Sequence, residues 1–506
     1  MKQNSKFTKI CSFLVCLLFL GCAVFVTYAL FTAGGEENTV RPLILVCVVI
    51  GLELLAIGRM LLQRFENRLE KAFPAVFIGY LAITFLLQLL PANALRFTPA
   101  WDMDAVYKGA LLWNETGSLS EYSDYFLYFP NNFGTLLLYK IVFSLTGWAD
   151  PFLTAAVMGS LSVTVTRFAA VLLCKKTVGM RYAYACMLLL LLCPPLYFMG
   201  IAFYTDTLSL WAPVLALLLF VCGRQSQKLP AKLGWYAGAA LAAAFGAQIK
   251  FTVIIVVIAE GLTLLIRKEW KELLLAGIVH ALVIFAVFGA VNGIYYRNFD
   301  RETAARQNTP LTHWFMMGAQ GDGRYNEGDY EFTRSFSTAE ERNAAVREEV
   351  LRRYREMGAE GILQLWARKS AVDFGDGTCG ISDFLDDGVM NRSGIHDWLL
   401  YEGRYYKYWQ AISNGSLLLL LLLAVGSVLG FLRRGQQAEE KTALLLMILY
   451  MNFLGIWCFL MLWESSPRYF SNSMGMILVT AVLGIPDMLR AAEGLTERIK
   501  AAYQRH

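Results

Sequence analysis

Apolar runs of about 20 residues, separated by short polar turns, recur along nearly the whole chain. An α-helix needs roughly 20 apolar residues to cross the hydrocarbon core of a bilayer. The pattern predicts about twelve spans, at residues 11–31, 42–62, 72–90, 151–173, 182–200, 205–222, 233–248, 251–266, 273–293, 411–432, 442–463 and 469–489. Residues 133–145 are apolar too, but the run is too short to cross and contains Lys140.

The basic residues fix the sides. With the N-terminus cytoplasmic and residues 133–145 not counted as a span, the inner loops receive Arg64, Arg68 and Lys71, then Lys175, Lys176 and Arg181, then Arg224, Lys228 and Lys232. They also receive Arg267, Lys268 and Lys271, and Arg433, Arg434 and Lys441, while the C-terminal tail carries Arg490, Arg498, Lys500 and Arg505. This is the excess of positive charge expected on the cytoplasmic side. Counting residues 133–145 as a span would throw every later cluster outside, so the segment reads as a re-entrant or interfacial helix on the outer face. The expectation is a multi-pass plasma-membrane protein, all-α, with both termini cytoplasmic. Two outer regions then stand out, residues 91–150 and the charged, Gly- and Asp-rich stretch 295–410. In the second, Thr338-Ala-Glu-Glu341 has the form of a capping box and opens a charged helix that Gly358 should break.

Composition agrees with this class. Of 506 residues 57% are hydrophobic and 17% charged. The net charge of +5 is spread over many loops, so it speaks for topology and not for nucleic-acid binding. The first apolar run follows Lys2, Lys6 and Lys9, but it is longer than a signal-peptide core and no small-residue cleavage site follows, so it reads as an uncleaved span. Of the ten cysteines only Cys379 falls clearly in a polar region, and no CxxC pair occurs. No internal repeat is visible.

Candidate chemistry gathers on the outer side. Asp102 and Asp104, in Thr98-Pro-Ala-Trp101-Asp-Met-Asp-Ala-Val-Tyr107, open a short helical pattern. One of them could N-cap that helix, or the two could supply a general base or a divalent-metal ligand. Asp206 lies level with them where an apolar run emerges, again a cap or a functional carboxylate. Lys250 and Arg468 are isolated outer cations, suited to snorkelling or to a lipid phosphate, and Glu464 could pair with Arg468. Glu53, Glu260 and His280 fall inside spans, where ionisable groups are functional candidates. His313-Trp314, Asp322, Asp329 and Asp383-Phe-Leu-Asp386-Asp387-Gly388 match no ligand spacing and read as turns. Gly318, Gly321 and Gly323 follow no strand, so they are no nucleotide fingerprint.

Taken in chain order, these outer motifs resemble the GT-C superfamily of integral-membrane glycosyltransferases. The nearer resemblance is to the family 39-like group of protein O-mannosyltransferases and lipid A aminoarabinose transferases, in particular its Gram-positive bacterial members. The residues that carry it are WDMDAVYKGA in the first large outer loop, Tyr128-Phe-Pro130-Asn131-Asn132 opening the re-entrant helix, Tyr204-Thr-Asp206, Lys250 at an outer turn and Arg468-Tyr469 before the last span. In the long loop they are Pro310-Leu-Thr-His313-Trp314, Met317-Gly318, Gly323-Arg-Tyr325 and Lys369 ahead of Asp376-Gly-Thr378. The chain has Phe129 where the aminoarabinose transferases carry a lysine, which leaves the donor open.

The resemblance implies a GT-C-like core over residues 72–294 with a catalytic outer loop at 91–150. Two extra spans precede it (1–71), an extracytoplasmic loop domain follows (295–410), and the last spans and a cytoplasmic tail close the chain (411–506). It implies inverting transfer of a sugar from a polyprenyl-phosphate donor to an acceptor hydroxyl at the outer face. Asp102 would be the base, with Asp104 the second choice and Asp206 in support. A divalent metal ion on Asp102 and Asp206 would be the alternative to a free base. Lys250, Arg468 and Tyr469 would hold the donor phosphate, and Trp101, Tyr107, Tyr128, Pro130, Asn131, Tyr204, His313 and Trp314 would line the substrate site. A transporter or lipid flippase using Glu53, Glu260 and His280, and an envelope scaffold that needs none of these residues, are the competing readings.

Overall fold

The structure is a computed structural model that describes residues 6–32, 40–385, 388–434 and 439–503. Among these the chain is helical throughout, apart from one isolated antiparallel bridge between Phe97 and Val389. Nine described helices are long and apolar enough to cross a membrane: Lys6–Thr32, Arg41–Arg64, Glu66–Leu89, Pro151–Val178, Thr205–Gln225, Trp270–Asn298, Tyr406–Arg434, Glu440–Leu462 and Ser471–Gly494. The protein is therefore an all-α polytopic membrane protein.

The three other expected spans differ from a simple crossing, each for a local reason. The run at 182–200 is helical only over Met180–Leu191 and then passes into 3-10 turns at Pro194–Tyr197 and Met199–Ile201. Pro194 and Pro195 cause the break, because a proline has no N–H to donate and disfavours helix in the residue before it. Arg167 satisfies part of the freed backbone. It is fully buried, its Nη2 lies 3.4 Å from the Leu196 carbonyl and its Nη1 3.2 Å from the Tyr80 hydroxyl. The run at 251–266 starts as a 3-10 turn and gives a helix of only 13 residues, Ile254–Ile266. Leu229–Ile249 has 21 residues, packs closely through its alanines and glycines, and carries Lys232 and Gln248, which lower its hydropathy.

Small residues set the helix crossings. A Cβ on Gly484 would meet the Leu423 carbonyl at 1.7 Å, so Tyr406–Arg434 and the last helix touch backbone to backbone there. The two N-terminal spans are built into the bundle: the Phe19 ring packs at a tilt against Tyr450 and Phe453 of Glu440–Leu462, and Gly415 of Tyr406–Arg434 abuts Cys47.

One end of the bundle carries ion pairs between its short loops and helix ends. Arg224 pairs with Glu269 at 2.5 Å, Lys232 with Glu272 at 2.6 Å, Arg267 with Glu440 at 3.1 Å and Arg434 with Asp487 at 2.8 Å. The opposite end carries the short helices of residues 101–145 and the loop domain. In that domain Thr338 caps its helix by accepting from the Glu341 N–H at 3.2 Å, and the helix Ala339–Phe374 is kinked at Gly358, whose φ is 59°. Phe133–Leu145 is a separate 13-residue helix at this same end.

Candidate functional site

The helix Trp101–Thr116 begins after Ala100, an extended residue with no side-chain cap, so neither aspartate serves as the N-cap. Met103, Val106 and Ala110 are buried and seat the helix against Phe133–Leu145. Residues two apart on a helix point in different directions, and the two aspartates do. Asp104 turns to Lys108, 2.6 Å away and one turn on, and accepts from the Tyr122 hydroxyl at 3.1 Å. Asp102 lines a narrow cleft with Ala100, Trp101, Met103, Tyr204, Asp383, Phe384 and Arg468.

Asp102 makes no ion pair among the described residues. Its Oδ1 accepts from the Tyr125 hydroxyl at 2.8 Å. Burial, with Tyr204 and Asp102 beside it, pushes the Tyr125 hydroxyl far above its usual range, so it stays a donor. The Asn132 amide in turn donates to the Tyr125 oxygen, and the Tyr204 hydroxyl reaches Asn132 Oδ1 at 3.4 Å. Trp101, at the lip of the cleft, has φ 51° and is 71% exposed. A left-handed backbone in a tryptophan costs about 1–3 kcal/mol and marks a place where the surroundings enforce a shape.

Asp206 is buried on the short helix Thr205–Leu208, where it caps nothing. It holds two cations: Lys250 Nζ on Oδ1 and Arg468 Nε at 3.3 Å from Oδ2. Lys250 thus ends helix Leu229–Ile249 pointing inward, not snorkelling, with a side chain 14% exposed. Burial pulls its amine below the usual lysine range, against the pull of Asp206. The Tyr469 ring lies 4.2 Å from Lys250 Nζ and 5.3 Å from the Arg468 guanidinium. Arg468 also lies over the rings of Tyr204 and Phe384. Its contact with Asp206 lacks hydrogen-bond geometry, leaving the Nε–H and Asp206 Oδ2 both unsatisfied. An Arg468–Glu464 pair does not form; Glu464 instead accepts from the Tyr469 hydroxyl at 3.4 Å.

Asp102, Asp206, Lys250, Arg468, Tyr469, Trp101 and Tyr204 therefore come together, although they are drawn from four separate parts of the chain. Others named from the sequence lie elsewhere. Tyr107 points into the core, packed on Tyr139, Phe143 and Phe203. His313 is fully buried in the loop domain with Nδ1 on Thr333 Oγ1 at 2.6 Å, and burial holds it neutral with a pKa of about 4. Tyr128 stacks under Arg334, and Asn131 is exposed while its neighbour Asn132 faces the site. Pro130 starts the turn that carries Asn132. Trp314 stacks on Trp463 and approaches Phe129, at the rim of the same end.

Tyr125 carries no signal in the sequence, and Asn132, Asp383 and Phe384 occur there only inside motifs with no site role of their own. Asp383, expected in a turn, lines the cleft. It accepts from the Tyr401 hydroxyl, and its segment is tied to the loop before helix Trp101–Thr116, where Thr98 N–H donates to the Gly388 carbonyl at 2.9 Å. Asp386 and Asp387 lie outside the described residues. Glu260 and His280 face each other in the spans at 3.7 Å, both buried, whereas Glu53 is exposed on another helix.

A divalent metal on Asp102 and Asp206 does not fit this donor set. Both Asp206 oxygens face cations that would repel a metal ion, and among the described residues no cluster of three His, Cys, Asp or Glu side chains could hold one.

Among curated proteins none matches the chain. Two solved structures show partial likeness. One is ArnT from Cupriavidus metallidurans bound to undecaprenyl phosphate, 14% identical, with a TM-score of 0.34 over 84% of this chain and 79% of that one. The other is the archaeal oligosaccharyltransferase AglB from Archaeoglobus fulgidus, in complex with an inhibitory peptide and a dolichol-phosphate, 12% identical, with a TM-score of 0.29 over 78% of this chain and 57% of that one. The family model that describes a conserved hypothetical integral membrane protein matches residues 1–489, and the chain belongs to that family.

Proposed function

We propose that the protein is a membrane glycosyltransferase that moves a sugar from a polyprenyl-phosphate donor to an acceptor hydroxyl at the extracytoplasmic face. The observation that carries this reading is one cleft in which a carboxylate free of cations, Asp102, lies beside Arg468 of a cation cluster. Such a pairing suits a reaction that removes a proton at one point and releases an anion at another. The acceptor oxygen attacks the anomeric carbon and its proton passes to Asp102. The bond from that carbon to the phosphate oxygen breaks with inversion, and the electron pair leaves on the lipid phosphate. Lys250 and Arg468 meet that charge as it develops, which is worth most in a site that excludes water. Tyr125 keeps Asp102 oriented, and Tyr204 and Phe384 wall the cleft. Asp104, already neutralised by Lys108, takes no part in this scheme.

The test is transfer by the purified protein from a panel of polyprenyl-phosphate sugars. Loss of a general base costs about a hundred- to ten-thousandfold in rate, so Asp102→Asn should insert and fold normally yet be nearly inactive. Asp104→Asn should retain most activity. Transfer at a near-normal rate by Asp102→Asn would remove Asp102 from the chemistry.

A further inference from the structure

The carboxyl of Glu464 lies beside the cation cluster and takes no part in the transfer chemistry. It is buried, 8% exposed, on the segment that carries Arg468. Its Oε2 accepts from the Tyr469 hydroxyl at 3.4 Å, and the ring of that tyrosine lies against both Lys250 and Arg468. One aromatic side chain thus connects Glu464 to both cations of the donor-phosphate subsite. Besides these, the charged groups that act on it are Asp102 from the catalytic helix and, from the helix Ala339–Phe374, Lys369 and Asp373. Tyr325 of the loop domain is the remaining titratable neighbour.

The segment is also held rigidly. Asp373 accepts from Ser465 Oγ at 3.2 Å and from the Ser466 N–H at 3.0 Å, and Lys369 donates to the carbonyls of Gly318 and Trp463. Glu464 therefore cannot swing out to water without breaking a buried network, and its charge has to be settled where it stands.

Lys250, Arg468 and Asp206 together leave a single net positive charge. A lipid phosphodiester carries a single negative charge, and with Asp102 and Asp383 already lining the cleft an ionised Glu464 would add one more carboxylate beside the two cations and weaken their attraction for it. We propose that Glu464 is the proton-linked positioning residue of the donor-phosphate subsite, taking up a proton as the lipid phosphodiester binds and giving it back when the subsite empties. This rests on the donor-site reading above and adds to it a charge state and a proton count. Burial pushes the Glu464 carboxyl up to about 7, with Arg468 and Lys250 pulling it down and Asp102 pushing it further up. It is thus poised to change protonation near neutrality, and a bound anion favours the protonated form.

The experiment uses the full chain in nanodiscs of zwitterionic lipid and a synthetic prenyl phosphodiester whose single charge is fixed from about pH 6 to about pH 9. Binding is measured by calorimetry in pairs of buffers with different ionisation enthalpies. For the wild type the affinity should fall by up to about tenfold per pH unit above about pH 7, with net proton uptake on binding. Glu464→Gln should keep the low-pH affinity throughout and take up no proton. A wild-type affinity that is flat with pH, with no proton uptake, overturns the proposal while leaving the donor site standing, and this needs no variant to fold. A wild-type slope preserved in Glu464→Gln overturns it equally. Failure of the wild type to bind the phosphodiester at any pH sinks the donor-site reading itself and this inference with it.

Discussion

Removing Asp206 and removing Lys250 disturb the same cluster in opposite senses. Asp206→Asn leaves two cations facing each other in a buried site, and an uncompensated buried charge costs about 3–5 kcal/mol. Lys250→Met leaves Asp206 still paired with Arg468. The expected outcome is a clear fall in melting temperature for Asp206→Asn, partly restored by adding a prenyl phosphate that takes the place of the lost carboxylate. Lys250→Met should lose less melting temperature than Asp206→Asn and should lose donor affinity. A melting temperature of Asp206→Asn that a prenyl phosphate does not raise would mean that the two cations do not bind phosphate. At this scale much of the site was legible. Asp206, Lys250 and Arg468 announced themselves because ionisable groups at the outer ends of apolar runs are scarce. The choice between Asp102 and Asp104 was not legible: residues two apart on a helix cannot share a face, but only the folded chain shows that it is Asp102 that lines the cleft. Asp383 and Asn132 gave no signal either. Their loops are rich in polar residues, and only the folded chain shows which ones turn inward.

The elements that carry these side chains meet through close backbone contacts, and one contact bears directly on the cleft. Gly134, in the second residue of helix Phe133–Leu145, has the Gln248 carbonyl where a Cβ would lie, at 2.2 Å. Gln248 is two residues before Lys250, and Gly134 two residues after Asn132, so this crossing sets the spacing between the Asp102–Tyr125–Asn132 chain and the cation cluster. Gly134→Ala should force the two helices apart and cut transfer at least tenfold, while the protein remains inserted. Gly147→Ala is the matched control, because its Cβ would meet its nearest neighbour at an ordinary 3.6 Å. Equal activity in the two variants would show that the crossing does not control the site. The run at 133–145 could be read as a short helix from its length and Lys140, whereas the span expected at 182–200 passed over the proline pair at 194–195 that breaks it. The buried Arg167 could not be foreseen as the group that supports that break. Its partners, Tyr80 and Leu196, lie 87 and 29 residues away in sequence.

Across the whole molecule, the ion pairs of Arg224, Lys232, Arg267 and Arg434 occupy one end of the bundle and the Asp102 cleft occupies the other. That separation follows from helix lengths and loop order, and it makes the reaction scheme depend on which end faces outward. The positive-inside bias is counted over short loops, and the short loops of the first end carry the basic clusters while the 15 lysines and arginines of residues 295–410 sit in one long loop domain at the cleft end, so the first end should be cytoplasmic. A lipid-linked donor presented at the outer leaflet can reach Lys250 and Arg468 only if that assignment holds. Cysteine labelling tests it on intact cells with a membrane-impermeant thiol reagent, against the background of the parent protein. Asp124→Cys and Arg324→Cys place thiols at exposed positions of the cleft end, and Gln227→Cys at an exposed position of the other. The first two should react without lysis and the third only after it. Labelling of Gln227→Cys on intact cells would put Asp102 on the cytoplasmic side, and the donor would then have to be a lipid-linked sugar of the inner leaflet.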